Sequence, residues 1–298
     1  GANSGIGYET ALELARKGAD VVLACRSEER GRAALQNLQS ALAAQDGAGR
    51  VTFEQLDVSS LASVKAFAAR FLETHDRLHL LVNNAGIMAV PHALSVDGYE
   101  SQFATNHLGH FALTAQLFEL LKKSAPSRVV NVSSNAHRQA FSFDEDAIMT
   151  LADKYSPIAV YADTKVANIL FTKELDRRLR AAGIQGVTAA VCHPGVTESN
   201  LVTAPAETNS FFWALPWKLV RLAPWLIFQS AQMGALPTLY AAGASNVQGG
   251  DYYGPRGLLA LWGYPALEEP TALAQSETAA AKLWAQSEKL ANLTFEVS

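Results

Sequence analysis

The sequence predicts an α/β protein, a single domain built on a doubly wound parallel sheet with helices on both faces. Short apolar runs alternate with longer segments of helical spacing along most of the chain, and strands that are apolar on both faces are typical of parallel sheets. A glycine-rich stretch also stands directly before the first helical segment, where a strand-to-helix turn is expected. Because crossover connections are right-handed, this alternation favours a doubly wound sheet, in which ligands bind beyond the carboxyl ends of the strands.

Each predicted element follows from local periodicity. Apolar residues spaced three and four apart, as at Val64, Phe67 and Phe71, predict helices over residues 9–17, 28–44, 60–74, 98–123 and 160–181. Short runs rich in apolar residues predict strands over residues 21–25, 79–82, 128–132 and 186–192, and the segment 51–56 is predicted as a further strand. Gly18 is expected to cap the first helix, and the Asp46-Gly47 pair predicts a turn after the second.

Composition narrows the class of protein. The 298 residues are 49% hydrophobic and 17% charged, with 24 Lys+Arg against 28 Asp+Glu and a net charge of −4. This balance excludes intrinsic disorder and argues against nucleic-acid binding, since no basic excess can neutralise phosphates. Cys25 and Cys192 lie far apart in apolar runs and form neither a metal-ligand spacing nor a disulfide framework. A reducing compartment, the cytoplasm, is therefore expected.

The sequence opens on the glycine turn itself, with no apolar strand ahead of it. Because such a turn normally joins a strand to a helix, we expect the sequence to begin after the first strand. The presence of a targeting or anchor segment upstream is then an open question, and so is a location on the cytosolic face of a membrane.

The turn has the spacing G-x-x-x-G-x-G, with glycines at Gly1, Gly5 and Gly7 and with Ser4 and Ile6 between them. A dinucleotide site needs such a turn for close backbone approach and for a helix N-terminus directed at phosphate. An ordinary turn before a helix is the alternative.

Arginines follow the first predicted strand of the sequence, at Arg26 and Arg30. Sites for NAD place an Asp or Glu there to bind the ribose 2′-hydroxyl, whereas a guanidinium suits a 2′-phosphate. These residues therefore indicate NADP, the alternative being solvated arginines at the start of a helix.

Two further strands end in candidate cofactor residues. Asp57 could accept a hydrogen bond from an adenine amino group, or Asp57 or Ser59 could be the N-cap of the next helix. The segment Asn83-Asn84-Ala85-Gly86 combines amides with small residues, as a backbone close to a flat ligand requires. The alternative is that this segment is an ordinary loop with no ligand.

Tyr161 and Lys165 stand four residues apart and share one face of the predicted helix. A nearby ammonium favours the phenolate, so we expect Lys165 to lower the tyrosine pKa from its usual value near ~10 and to make Tyr161 a general acid or base. Ser134 closes a predicted strand and can donate to a substrate oxygen.

Taken together, these motifs resemble the short-chain dehydrogenase/reductase family of Rossmann-type proteins. The matching pieces are Gly1-x-x-x-Gly5-Ile6-Gly7, Asp57-Val58, Asn83-Asn-Ala-Gly86, Asn106, Ser134, Tyr161-x-x-x-Lys165 and Pro194-Gly195. Several longer stretches look like the retinol dehydrogenase and protochlorophyllide reductase-like branch of the family. These stretches are Asn106-His-Leu-Gly-His-Phe111, Val129-Val-Asn-Val-Ser-Ser134, Ala167-Asn-Ile-Leu-Phe-Thr172 and His193-Pro-Gly195. Enzymes of this branch commonly use NADP.

The resemblance implies a role for each catalytic candidate. Tyr161 would exchange a proton with the substrate oxygen, Lys165 would hold the nicotinamide ribose, and Ser134 would polarise the carbonyl, with Ser133 structural. Asn106 would hold a water that links Lys165 to a proton relay. The residues expected to bind the cofactor are Gly1, Ser4, Gly5, Ile6, Gly7, Arg26, Arg30, Asp57, Val58, Asn83, Ala85, Gly86, Tyr161, Lys165, Pro194, Gly195, Val196 and Thr197.

The chain departs from the family pattern in two places. Thr164 replaces the serine that usually precedes the lysine, which keeps the hydroxyl. An acidic insertion over residues 141–156 lengthens the segment between Ser134 and Tyr161, and the retinol dehydrogenase branch carries such an insertion too.

The stretch 210–228 is rich in aromatic residues and is interrupted by prolines and cations, so it cannot span a bilayer. We expect a substrate lid over about 197–230 that binds a lipophilic small molecule, with peripheral membrane contact as the second interpretation. No metal site is expected, because His107 and His110 lack a third ligand in the sequence around them.

The sequence thus predicts an NADP-dependent oxidoreductase that interconverts an alcohol and its aldehyde or ketone. Two alternatives stay open: reduction of a carbon–carbon double bond, and an NADP-binding regulator without activity. The family resemblance also leaves open a homodimer paired through long helices.

Overall fold

The computed structural model describes residues 1–140, 155–197 and 229–298. Seven strands are present there: β1 Val21–Cys25, β2 Val51–Gln55, β3 Leu80–Asn83, β4 Ser127–Val132, β5 Val187–Cys192, β6 Tyr252–Pro255 and β7 Pro265–Leu267. The main helices of the described residues are α1 Gly5–Arg16, α2 Glu28–Leu42, α3 Leu61–Thr74, α4 Gly109–Lys123, α5 Pro157–Ala181, α6 Ala231–Gly243 and α7 Glu277–Ala291.

The strands form two sheets, and all pairings but one are parallel. Strand β1 pairs with β2, and the second sheet has the order β3-β4-β5-β6-β7 with only β7 antiparallel. The sheets carry helices on both faces, as neighbouring residues of β4 show. Val129 packs with Phe171 of α5, whereas Val130 packs on the opposite face with Ala241 of α6. The prediction of an α/β fold with helices on both faces of a parallel sheet is confirmed.

The glycine turn lies between the two sheets at the carboxyl ends of β1 and β3. The amino group of Gly1 donates to the carbonyl of Ala24 over 3.2 Å, and Asn84 Nδ2 donates to the Gly1 carbonyl over 3.1 Å. One hydrophobic cluster also joins Ala24 of β1 to Leu81 of β3. The prediction of a strand ahead of Gly1 concerns residues outside this sequence and stays a prediction.

Element bounds differ from the predicted ones at a few positions. Helix α1 begins at Gly5 rather than residue 9, since the glycine turn enters the helix directly. The helix predicted over 98–123 begins at Ser101 and changes its winding before α4. Strands β6 and β7 and helices α6 and α7 had no counterpart in the sequence reading.

Two sequence predictions fall outside the described residues. These are the aromatic stretch 210–228, with most of the lid expected over 197–230, and all but the last two residues of the insertion 141–156. Of the helices in the described part of the chain, none combines the length and the apolar character needed to cross a membrane.

Candidate active site

The carboxyl ends of the parallel strands carry most of the predicted site residues, as a doubly wound sheet requires. Arg26 follows β1 and Asp57 lies two residues beyond β2, while the segment from Asn84 to Gly86 follows β3. Ser134 follows β4 and Pro194 follows β5. Helix α5 adds Tyr161 and Lys165 to the same end, because its first half runs past the ends of β4 and β5.

The Ser134 hydroxyl lies beside the Tyr161 phenol and favours the ionised form of that phenol. Ser134 is held by its own turn: it is the N-cap of a 3₁₀ helix over Asn135–Gln139, and its Oγ accepts from Ala136 N over 3.1 Å. Tyr161 is 7% exposed, so its phenol faces little water. A buried phenol and a half-buried serine hydroxyl are thus neighbours at the end of β4.

The pKa of Tyr161 is raised above its usual value because burial disfavours the phenolate, and the Ser134 hydrogen bond only partly opposes this. The expectation that Lys165 lowers this pKa is therefore wrong for the protein alone. Lys165 Nζ lies over the tyrosine ring, 5.5 Å from its centroid, and donates to the Val132 carbonyl over 3.1 Å. Burial lowers the pKa of Lys165 itself to about 8.

The carbonyl of Val132 fixes the lysine with the help of a neighbour. Asn168 Nδ2 donates to the same oxygen over 3.1 Å, and both side chains are almost fully buried. Ser133 Oγ donates to the Lys165 carbonyl over 2.8 Å, the structural role that the sequence predicts for it. Strand β4 and helix α5 are therefore joined at the residues that present Lys165.

Asn106 lies in a π-helical stretch, Ala104–Leu108, directly before α4. Such insertions re-aim side chains and are frequent at functional sites. The Asn106 amide binds the backbone of Ile87 from both sides, accepting from its N over 2.8 Å and donating to its O over 2.9 Å. It also donates to Thr164 Oγ1 over 3.0 Å, whose hydroxyl donates to the Tyr161 carbonyl over 2.8 Å. Asn106 thus joins the loop after β3 to the tyrosine helix, and its expected hold on a water stays a prediction.

Sequence reasoning missed a second amide that acts on the same loop. Gln102 is fully buried; its Oε1 accepts from Ala89 N, and its Nε2 donates to the Tyr155 hydroxyl and to the Pro157 carbonyl, all within 2.9 Å. Ala89 has a φ of 51°, a conformation that costs an alanine free energy and that this bond helps to hold. The sequence could have indicated Gln102, because it stands four residues before Asn106 and a helix places the two side-chain amides on one face.

The glycine turn has the geometry of an anion site. Gly5 has a φ of 56°, and a Cβ on Gly7 would lie 2.2 Å from the Gly1 carbonyl, so both positions need glycine. Ser4 stands at the N-cap of α1 without capping it through its side chain. The first N–H groups of this helix, including those of Ile6 and Gly7, are therefore available to a ligand phosphate.

A groove of about 510 Å³ lies at the carboxyl ends of β1 and β2. Its lining includes Arg26 and Asp57 together with Arg32, Phe53, Gln55 and Arg70. Both Arg26 and Arg30 are exposed; the Arg26 carbonyl accepts from Gln55, and the Arg30 N donates to Ser27 Oγ. The guanidinium of Arg26 thus lines a groove that suits an adenosine 2′-phosphate.

The turn after β2 corrects one part of the sequence reading. Ser60 is the N-cap of α3, accepting from Ser63 N, so neither Asp57 nor Ser59 caps this helix. Asp57 Oδ1 instead accepts from both the N and the Oγ of Ser59 and shapes the turn. A Cβ on Gly109 would lie 1.8 Å from the Val58 carbonyl, so this turn packs directly against the start of α4.

The residues after β3 differ in what they offer a ligand. The Asn83 side chain is buried and donates to Thr114 Oγ1 and to Asn131 Oδ1, so only its backbone faces the strand end. Ala85 lies against Gly1, and a Cβ on Gly86 would come within 3.5 Å of Lys165 Nζ. The small residues of this segment therefore keep the loop close to the catalytic side chains.

The turn after β5 spans Pro194 to Thr197. Gly195 has a φ of 68°, and Val196 N donates to the Leu261 carbonyl over 2.8 Å. Thr197 is buried against Gly234 near the start of α6, and its Oγ1 donates to the Pro194 carbonyl. This turn is thus held on both sides by segments of the last quarter of the chain.

The two histidines beside Asn106 and the cysteine at the end of β5 pack inside the protein. His107 and His110 are fully buried, which lowers the pKa of each to about 3, and burial raises the pKa of Cys192 to about 12. Within residues 1–140, 155–197 and 229–298, no cluster of three or more His, Cys, Asp or Glu side chains could hold a metal ion.

Comparison with protein families gives a match to the model described as short chain dehydrogenase over residues 1–145. The chain is 40% identical to human retinol dehydrogenase 13 over 297 residues, which cover 98% of this chain and 83% of that protein. It is 42% identical to mouse retinol dehydrogenase 12 over 248 residues, 83% of this chain and 73% of the relative.

Solved structures show the same fold. An uncharacterized protein from Mycobacterium paratuberculosis is 39% identical, has a TM-score of 0.78, and aligns over 99% of this chain and 92% of its own. A variant actinorhodin polyketide ketoreductase, crystallised with NADPH, is 25% identical with a TM-score of 0.63 and aligns over 84% of this chain and 91% of its own.

Proposed function

This chain belongs to the short-chain dehydrogenase family, and we propose that it is an NADP-dependent oxidoreductase that interconverts a lipophilic alcohol and its aldehyde or ketone. The observation that carries the proposal is that the buried Tyr161 phenol lies beside the Ser134 hydroxyl, with Lys165 over the tyrosine ring and next to the carboxyl end of β4.

The described residues fit a nicotinamide dinucleotide. The uncapped N-terminus of α1 would receive the pyrophosphate, which can approach the backbone closely because Gly1, Gly5 and Gly7 have no side chains. The groove with Arg26 would receive the adenosine and its 2′-phosphate, since a guanidinium binds phosphate through two charge-assisted hydrogen bonds. When bound, the cofactor supplies or accepts the hydride.

Tyr161 supplies the proton. Because burial raises its pKa, the side chain is a neutral phenol at neutral pH, which is the form that can protonate a substrate oxygen. Ser134 orients the carbonyl by donating a hydrogen bond to its oxygen. In reduction, hydride adds to the carbonyl carbon while the phenol proton moves to the oxygen, and the alcohol forms. Lys165, with a pKa of about 8, is mostly an ammonium at pH 7 and balances negative charge that develops on Tyr161.

A lipophilic substrate agrees with the surroundings of Ser134. Asn135 Nδ2 donates to the Leu259 carbonyl over 3.0 Å, which brings the loop around residues 258–262 to the serine turn. The side chains of Leu258 and Leu259 are exposed to 70% and 74%. The retinol dehydrogenases that resemble this chain are named for a lipophilic alcohol, which further supports this substrate class.

The test uses NADPH labelled with deuterium at the transferable position and a panel of substrates. The panel contains a long apolar aldehyde, a short polar aldehyde, a ketone and an α,β-unsaturated carbonyl compound. We expect deuterium on the carbinol carbon and faster turnover of the long apolar aldehyde. Deuterium on a former alkene carbon would instead assign double-bond reduction, and NADPH binding without transfer to any substrate would overturn the proposal in favour of a regulator.

A further inference from the structure

Two turns of the candidate site meet at one carboxylate, that of Glu268, directly after β7. Its Oε1 lies 3.1 Å from His193 Nε2, and its Oε2 accepts from Arg138 Nη2 over 3.0 Å. His193 directly follows β5 and precedes the Pro194-Gly195 turn, and Arg138 lies in the 3₁₀ turn that Ser134 begins. We propose that Glu268 is a positioning residue that selects one tautomer of His193 and thereby holds both turns in register beside Tyr161.

The tautomer follows from the partners of the imidazole. His193 Nδ1 lies 3.2 Å from the backbone N of Gly195, which can only donate. Nδ1 must therefore be the unprotonated acceptor, and a neutral ring then carries its proton on Nε2, facing Glu268. His193 has no exposed surface, so water cannot replace either partner. A carboxylate at Nε2 thus keeps Nδ1 free to accept from Gly195, as second partners of histidines do elsewhere.

The contact between Glu268 and His193 depends on a glycine in β6, Gly254. Gly254 lies in β6, between the two side chains, and a Cβ there would lie 2.0 Å from Glu268 Oε1 and 2.0 Å from His193 Nε2. A side chain at this position would force the pair apart. The missing Cβ of Gly254 is therefore part of the arrangement, and it offers a second route to break it.

Arg138 links the Glu268 carboxylate to the turn that begins at Ser134. Its Nη2 also donates to the Glu269 carbonyl, and its Nε donates to Asn135 Oδ1 over 2.9 Å. Asn135 is the first residue of the turn that the Ser134 side chain caps. A displacement of Glu268 would therefore reach Ser134 through Arg138 and reach Gly195 through His193.

The charge state of Glu268 agrees with this role. Burial would raise its pKa, but the hydrogen bonds from His193 and Arg138 and the positive charge of Arg138 hold the pKa below its usual value. The carboxylate is therefore ionised at neutral pH, as an acceptor from two donors must be. This inference rests on the proposed function only for its kinetic consequence, because the tautomer itself can be read without turnover.

The direct test is the ¹⁵N chemical shifts of the His193 ring in the full chain. We expect an unprotonated Nδ1 and a protonated Nε2 in the wild type, and loss of that single tautomer in Glu268→Leu and in Gly254→Ala. Glu268→Gln, whose amide oxygen can still accept from Nε2, should keep the wild-type shifts. A protonated Nδ1 in the wild type, or unchanged shifts in Glu268→Leu, would overturn the proposal.

The kinetic arm separates positioning from general stability. If the proposed reduction holds, kcat of Glu268→Leu should fall about 10- to 100-fold, a range taken from the hydrogen-bond partners of metal-binding histidines. Glu119→Gln, at an exposed residue of another ion pair, should leave kcat unchanged. In His193→Asn, whose amide oxygen can accept from Gly195 without a tautomer to select, the same change at Glu268 should cost much less. An equal loss in both backgrounds would assign Glu268 a merely structural role and overturn the proposal. Absence of turnover in the wild type would count against the proposed function but leave the tautomer result standing.

Discussion

Asn106 binds both backbone polar groups of Ile87, accepting from its N at 2.8 Å and donating to its O at 2.9 Å. The two residues are 19 positions apart, and the contact ties the loop after β3 to the helix segment that also reaches Thr164. Both the oxygen and the nitrogen of this buried side-chain amide make hydrogen bonds, so any displacement of Asn106 would leave buried polar groups unsatisfied. Asn106 is therefore a rigid support for the loop. This support lies one hydrogen bond away from the tyrosine helix.

Replacing Asn106 should therefore misplace the catalytic groups. In Asn106→Leu both bonds to Ile87 are lost, and we expect kcat for carbonyl reduction to fall about 10²-fold, the cost of an error near 1 Å in position. Steady-state kinetics with NADPH and an apolar aldehyde measure this. Gln116→Leu removes an amide from the outer part of the same helix and should leave kcat unchanged. Equal values of kcat for both variants would contradict the role of Asn106.

The lowered pKa of Lys165 predicts a pH dependence of stability. Burial lowers this pKa from 10.5 to about 8, so between those pH values the unfolded chain binds more protons than the folded one. The penalty for burying the ammonium is full below pH 8 and disappears as the pH rises towards 10.5. Relative to Lys165→Met, the wild type should therefore gain roughly 3 kcal/mol at most in free energy of unfolding across this range.

Denaturant unfolding of both proteins without cofactor, measured from pH 7 to pH 10, checks the prediction about Lys165. A constant difference between the two proteins would show that this lysine keeps an ordinary pKa when folded.

Arg26 should decide the choice between NADPH and NADH. Its guanidinium lines the groove at the ends of β1 and β2, and hydrogen bonds to a charged group contribute about 1.5–3 kcal/mol. In Arg26→Ala the Kd for NADPH should rise about 10- to 100-fold while the Kd for NADH changes little. Calorimetric titration with both cofactors measures this.

Arg50→Ala is a matched control for Arg26, because this exposed arginine pairs with Asp20 at the opposite ends of the same strands. A parallel loss for both cofactors in Arg26→Ala, or tighter NADH binding by the wild type, would be incompatible with the assignment of NADP.

Asn131 should contribute to folding rather than to chemistry. Its Oδ1 accepts from Asn83 on β3, and its Nδ2 donates to Thr172 of α5. Asn131→Leu would leave buried partners unsatisfied, and we expect the free energy of unfolding to fall by about 1–3 kcal/mol. Thermal or urea unfolding measures the change, with the exposed Asn37→Leu as control. A variant as stable as the wild type would show that these partners find other hydrogen bonds.

The first five described strands could be predicted because their signal is local. Runs such as Val21–Cys25 are apolar on both faces, and burial between two layers of helices requires this. The later elements lack such a signal. Helix α6 contains Gly234 and Pro237, which usually interrupt helices, and it is stabilised by tertiary packing, with Gly234 against Thr197. Local propensity is a weak guide where packing decides.

The site residues, like the strands and helices, divide into those with a local sequence signal and those without one. Tyr161 and Lys165 were found because helical spacing relates them and because family motifs surround them. The tyrosine pKa was predicted in the wrong direction, since the sequence shows the nearby cation but not the burial that outweighs it. Glu268 lies 75 residues from His193, and their segments come together because β6 pairs with β5 on one side and with β7 on the other. No periodicity in the sequence relates two such residues.

The central claim is that the Tyr161 phenol donates the proton in an NADPH-dependent reduction, and single-turnover kinetics of Tyr161→Phe test it most directly. NADPH binding should match that of the wild type, while NADPH consumption with an apolar aldehyde should slow by about 10²- to 10⁴-fold, the usual contribution of a general acid. Tyr240→Phe, which removes a surface hydroxyl bonded to Asn246, should consume NADPH at the wild-type rate. Comparable rates in Tyr161→Phe and the wild type would contradict the account.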